Sequence, residues 1–87
     1  MKLKEGFVLH TAGGENMMVA TGKASKAFNG LVRNNDTAQF ILQQLLEDTT
    51  EDAIVEKMCK EYDAPAEVIR EGVQKLVSQL NEAGFLE

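Results

Sequence analysis

Apolar residues change their period once along this chain. Before about residue 30 they follow the two-residue alternation of strands, and after about residue 36 they recur at three and four residues. Phe7 to Ala12, rich in strand formers, is followed by Gly13-Gly14-Glu15-Asn16 and then Met17-Met18-Val19-Ala20, the pattern of a β-hairpin whose glycines permit positive φ. Phe7, Leu9 and Thr11 fall on one face and Val8, His10 and Ala12 on the other. Neither face is cleanly polar, so cover on both sides and a central place for this strand are expected. After the turn signal Thr21-Gly22-Lys23, a third strand is predicted around Phe28 to Arg33, with Gly30 permitting a bulge or the approach of another backbone.

Asn35 and Asp36 then offer side-chain oxygens to the unpaired N–H groups that open a helix. This first helix is predicted from Asp36 to Glu47, with Phe40, Ile41, Leu42, Leu45 and Leu46 as its apolar face. Thr49-Thr50 before Glu51-Asp52 reads as the cap of a second helix, whose stripe is Ile54, Val55, Met58, Cys59 and Tyr62. Pro65 suits the first turn of a third helix, where its missing N–H costs nothing. On that helix Ile69, Val73, Leu76 and Leu80 form a central stripe, widened by Val68, Gly72, Val77 and Ala83 beyond what packing on one side requires. Gly84 is a C-terminal stop, and Phe85-Leu86 should fold back over the last turn. The expected architecture is α+β: a three-stranded antiparallel sheet followed by three helices, in one domain spanning residues 1–87.

Composition narrows the function. With 87 residues the chain is too small for a core and a deep catalytic cleft together. An apolar fraction of 44% and a charged fraction of 26% fit an ordinary globular domain. The net charge of −5 argues against a nucleic-acid partner, since holding phosphates needs a basic face. A single cysteine and no signal-like leader point to a reducing cytoplasm, and no apolar run is long enough for a membrane.

Candidate chemistry is sparse. His10 lies in a strand and Cys59 between apolar neighbours on a helix, so a structural role is expected for both, with Cys59 buried. Neither has a second soft ligand at metal spacing, and no metal or cofactor is implied. Ser25 and Ser78 lack a histidine–carboxylate setting, and the acids Glu47-Asp48, Glu51-Asp52 and Glu61 to Asp63 sit at helix ends, where capping and solvation favour them. No catalytic residue is assigned.

Three strands before three helices, Phe28-Asn29-Gly30-Leu31-Val32-Arg33 running into Asn35-Asp36-Thr37, Asp48-Thr49-Thr50-Glu51, Glu61-Tyr62-Asp63 and the late Glu82-Ala83-Gly84-Phe85-Leu86 together resemble the PqqD family, also called RiPP recognition elements. That resemblance implies a winged helix-turn-helix fold without catalysis. It also implies binding of the leader segment of a ribosomally made precursor peptide, commonly for delivery to a radical SAM maturase. In that family the leader adds as a strand to the third strand beside the third helix. The contact would then fall at Asn29, Gly30, Leu31, Val32 and Arg33 and along Arg70 to Val77. The sequence departs from the family's pattern at Asn34, where an apolar residue is common, and at Ala38-Gln39, where a small pair is common.

Physical chemistry points to the same surface. An edge strand presents unpaired N–H and C=O groups to which an extended peptide can bond, while alternate side chains supply specificity. About four such bonds at ~0.5–1.5 kcal/mol each fall short of the ~8 kcal/mol of micromolar binding, so apolar anchors must contribute. Val73 and Val77, beside Arg70 and Gln74, form the margin of helix three expected to wall the groove, with Arg33 and Arg70 able to pair with acids on the peptide. The opposite margin, Val68, Gly72 and Lys75, is the alternative. Val32→Pro is expected to weaken binding provided the Val32 N–H points outward.

Three other readings compete. A DNA-binding winged helix shares the architecture but has too few basic residues on helix three. A carrier protein needs an attachment serine that Ser25 and Ser78 do not match. A structural interaction domain without a peptide ligand is the plainest alternative. An exposed edge also permits self-pairing into a homodimer.

Overall fold

The computed structural model describes residues 1–22 and 31–87. Phe28, Asn29 and Gly30, assigned to the third strand from sequence, lie outside the described residues. Strands β1 (Phe7–Ala12), β2 (Glu15–Ala20) and β3 (Leu31–Asn34) precede helices α1 (Asp36–Gln44), α2 (Glu51–Glu61) and α3 (Ala66–Glu82). The strands form one antiparallel sheet in the order β1-β2-β3. The expected α+β architecture is therefore present, but β2, not β1, is central. The Gly13-Gly14 turn makes β1 the neighbour of β2, and β3 pairs along the other side of β2, which leaves the first strand at an edge.

Gly13 and Gly14, at φ +59° and +78°, make the two-residue turn that joins Ala12 to Glu15. Two residues at positive φ suit the right-handed twist of the flanking strands, and glycine adopts that geometry without steric cost. One sheet face is covered: Phe7 and Met18 are buried, and Leu9 and Val32 pack against the core. On the other face Val8 is 49% exposed and His10 is exposed, so the cover expected on both sides of β1 is absent there.

The helices fill the covered side with Ile41, Leu42 and Leu45, then Ile54, Val55 and Met58, then Ile69, Val73 and Leu80. Cys59 is exposed, against expectation. The buried line on α2 runs through Ile54 and Met58 to the half-buried Tyr62 at i, i+4 and i+8. Val55 marks the margin of the buried face, and Cys59 lies about 40° beyond it and about 100° round from Met58. Helix α1 ends at Gln44, short of Glu47, because the Leu3 N–H takes the Leu45 carbonyl at 2.8 Å and turns the chain away. At the C-terminus, Gly84 has φ +78° and the Phe85 N–H returns to the Leu80 carbonyl at 2.9 Å, burying Phe85 against Phe7 with ring centroids 4.8 Å apart.

A polar network fastens α1 to the sheet. The buried Gln39 donates from Nε2 to the carbonyls of Met17 (3.2 Å) and His10 (3.4 Å), and accepts from Asn34 Nδ2 at 3.1 Å. Asn34 and Gln39, two positions at which the sequence departs from the resembled pattern, are thus one hydrogen-bonded unit. Asn16 donates to Asp36 Oδ1 at 2.7 Å and accepts from Thr11 Oγ1 at 2.9 Å. The N–H of Ala38 donates to Asn35 Oδ1 at 2.8 Å, so Asn35 caps α1 and leaves Asp36 for Asn16.

Candidate functional site: an open strand edge and an apolar groove

Among the described residues β3 pairs with β2 alone, so its other edge is open. The hairpin register decides which backbone groups face outward. Ala12 and Glu15 close a two-residue turn and so exchange both hydrogen bonds, as does the alternate series His10–Met17 and Val8–Val19; the Thr21 N–H reaching the Gly6 carbonyl at 2.7 Å keeps the same phase. On β2 the intervening residues Asn16 and Met18 therefore bond toward β3, where their partners are Asn34 and Val32. The N–H and C=O groups of Leu31 and Arg33 are left facing the open edge. Val32 points its N–H inward at β2, so the condition attached to the Val32→Pro expectation is not met, and the probe moves to Arg33.

A cavity of about 400 Å³ begins at Asn35, the residue after β3. Its floor is apolar, formed by Ile41 of α1, Met58 of α2 and Ile69 and Val73 of α3. Thr37 and Ala38 from the first turn of α1 form one side, and Val68, Gly72, Lys75 and Leu76 of α3 the other. Tyr62 closes one part of the rim, held by its T-shaped contact with Phe40 at 5.7 Å and by its hydroxyl donating to the Asp36 carbonyl at 3.5 Å. Val68 is 59% exposed and lines this groove, so a large apolar side chain stands ready to be covered.

The two margins of α3 thus have different neighbours. Arg70 reaches back to α2, 2.7 Å from Glu51 Oε2 and 2.8 Å from Asp52 Oδ1, and Gln74 donates to the same Glu51 oxygen at 3.3 Å. Hydrogen bonds from Arg70 to Asp52 and then Glu51 raise its already high pKa. Val73 is fully buried in the cavity floor, and Val77 is half-buried in the core outside the cavity lining. Arg70 and Gln74 brace the helix pair, while the cavity opens along Val68, Gly72 and Lys75. The contributions of α1 and α2 escaped the sequence reading. For α1 the signal was the small residue Ala38 in the first turn of the helix that follows the strand.

Among the described residues, no group of three or more His, Cys, Asp or Glu could hold a metal, and no helix is long and apolar enough to cross a membrane.

The fold and site define a small winged helix-turn-helix-like α+β domain with one sheet edge open beside an apolar groove. The chain belongs to the PqqD family: the family profile described as coenzyme PQQ synthesis protein D (PqqD) matches residues 5–86. The structure is similar to one solved as "TbiB1 in Complex with the TbiA(beta) Leader Peptide", with a TM-score of 0.77 at 17% identity, covering 100% of this chain and 95% of that one. It is also similar to "Lasso peptide synthetase B1 complexed with the leader peptide", with a TM-score of 0.71 at 19% identity, covering 97% and 93%. At these identities the likeness is one of fold. No curated protein matches the sequence.

Proposed function

We propose that this chain is a non-catalytic peptide chaperone, binding the leader segment of a ribosomally made precursor by adding it as a further strand to β3. The observation that carries the proposal is the meeting, at Asn35, of an open strand edge and an apolar groove. Membership of the PqqD family supports it, as do two proteins of similar fold that were solved holding leader peptides. The N–H and C=O groups of Leu31 and Arg33 give the peptide four backbone bonds, and the Val68–Leu76 side of α3 covers its apolar side chains. Asn29 and Gly30 extend the docking strand in this reading. Val73 forms the floor, and Arg70, Gln74 and Val77 hold α3 in place against α2 and the core.

The chain would then present the precursor to a separate modifying enzyme of the radical SAM type, in the cytoplasm where the precursor is made. Two copies pairing through β3 would form a homodimer that competes with the peptide. The test is titration with a synthetic leader from a short peptide encoded beside this chain, following heat by calorimetry. Micromolar binding that Arg33→Pro weakens by about 1–3 kcal/mol is expected. Binding that Arg33→Pro leaves intact would overturn strand addition, and no binding would overturn the peptide-chaperone reading.

A further inference from the structure

Gly72 lies in the middle of α3, between Val68 and Leu76, each one turn away on the groove side. Glycine inside a helix is a stability cost relative to alanine. Nothing within the described structure demands it: a Cβ built at Gly72 meets no atom within 4 Å, and its φ is not positive. The missing side chain leaves a notch in the apolar wall, with the helix backbone at its base.

Lys75 stands three residues on. Among the described residues it is the one charged side chain lining the cavity, in a chain of net charge −5. Glu71 precedes it by four residues, the spacing at which helical ion pairs form, yet no ion pair joins them. Arg70 and Lys60 both have carboxylate partners, whereas Lys75 has no partner among the described residues.

We infer that, within the peptide-binding reading above and resting on it, Gly72 and Lys75 select the peptide. The accepted segment carries one bulky apolar side chain that enters the Gly72 notch and a carboxylate that meets Lys75. The spacing is compatible. Gly72 and Lys75 are about 4.5 Å apart along the helix axis, and strand residues i and i+2 share a face about 6.6 Å apart, a difference the lysine arm spans. The signature is therefore a large apolar residue with Asp or Glu two positions away.

The test is selection of a phage-displayed random dodecapeptide library on the full chain, in wild-type form and as Arg33→Pro, Lys75→Glu, Gly72→Ala and Gly72→Leu. Wild type should enrich the large apolar residue paired with an acid at two-residue spacing. Lys75→Glu should replace the acid with Lys or Arg, a swing of about tenfold in the preference, since attraction is exchanged for repulsion at one exposed site. Gly72→Leu should lose the large apolar preference and Gly72→Ala should weaken it, both with unchanged helical circular dichroism. Arg33→Pro should enrich nothing. If peptides are enriched on wild type and not on Arg33→Pro, but the acid survives Lys75→Glu or the apolar preference survives Gly72→Leu, this inference fails and the peptide reading stands. No enrichment on wild type relative to Arg33→Pro overturns both.

Discussion

The sheet has two outer strands that differ in what lies beside them. The alternation that leaves Leu31 and Arg33 open on β3 leaves Phe7, Leu9 and Thr11 open on β1, so among the described residues the β1 edge offers more backbone groups. Yet the apolar cavity adjoins the end of β3, and none of its lining residues comes from β1. Backbone bonds accept any extended chain and give only a few kcal/mol, at ~0.5–1.5 kcal/mol each. An apolar wall adds both the missing affinity and the means to choose. In the proposed reading, an edge becomes a site through its neighbour.

The sharpest way to break this comparison is to block each edge in turn. Arg33→Pro should cost about 1–3 kcal/mol of peptide affinity, up to roughly 150-fold in Kd, because one bond is lost and a peptide carbonyl is left facing the ring. Thr11→Pro on the opposite edge should lower Tm through loss of the Thr11–Asn16 bond but leave Kd unchanged, by fluorescence anisotropy. Val32→Pro should instead unfold the sheet, seen as a lowered Tm, because its N–H belongs to the ladder with β2. Equal losses from Arg33→Pro and Thr11→Pro would mean the two edges are equivalent.

Gln39→Ala tests what holds both edges to α1. It removes the side-chain donor that the Met17 and His10 carbonyls have beyond their ladder bonds and takes the acceptor from Asn34 Nδ2, and should destabilise the fold by about 1–3 kcal/mol, read as a fall in Tm. Two exposed valines then compare the surfaces directly. Val68→Asp should weaken peptide binding by about 1.5 kcal/mol, roughly tenfold, whereas Val8→Asp on the outer sheet face should leave it unchanged. The smallest expected effect carries a change of sign. Gly72→Ala should raise stability by about 0.5–1 kcal/mol in thermal melts while weakening the binding of bulky peptides.

The architecture could be read from the sequence because its signals are local. The paired glycines of the first turn, the caps at Asn35 and Thr50, and Gly84 each act within a few residues. Strand order and sidedness were less legible. His10 and Val8 are compatible with cover on either face, and what decides is the placement of helices far along the chain. Cys59 failed for a related reason, since an apolar neighbour on a wheel does not say how wide the packed face is.

The open edge of β3 was legible as a place, but not its phase. Whether Val32 or Arg33 faces outward depends on the turn closing Ala12 to Glu15, carried across β2. The wall was half legible. Both margins of α3 are apolar enough to serve, and the difference lies in Glu51 and Asp52 engaging Arg70 from another helix. Asn34 and Gln39 look like separate oddities in sequence and explain each other only once paired.

In the proposed function, β3 receives a second chain through alternate backbone groups. Amide hydrogen exchange by NMR, with and without a peptide that binds, tests it residue by residue. The Val32 and Asn34 amides should exchange slowly in both states, while those of Leu31 and Arg33 should exchange fast alone and become protected on binding. Protection appearing at Phe7, Leu9 and Thr11 instead, or Leu31 and Arg33 staying fast in the complex, would contradict it.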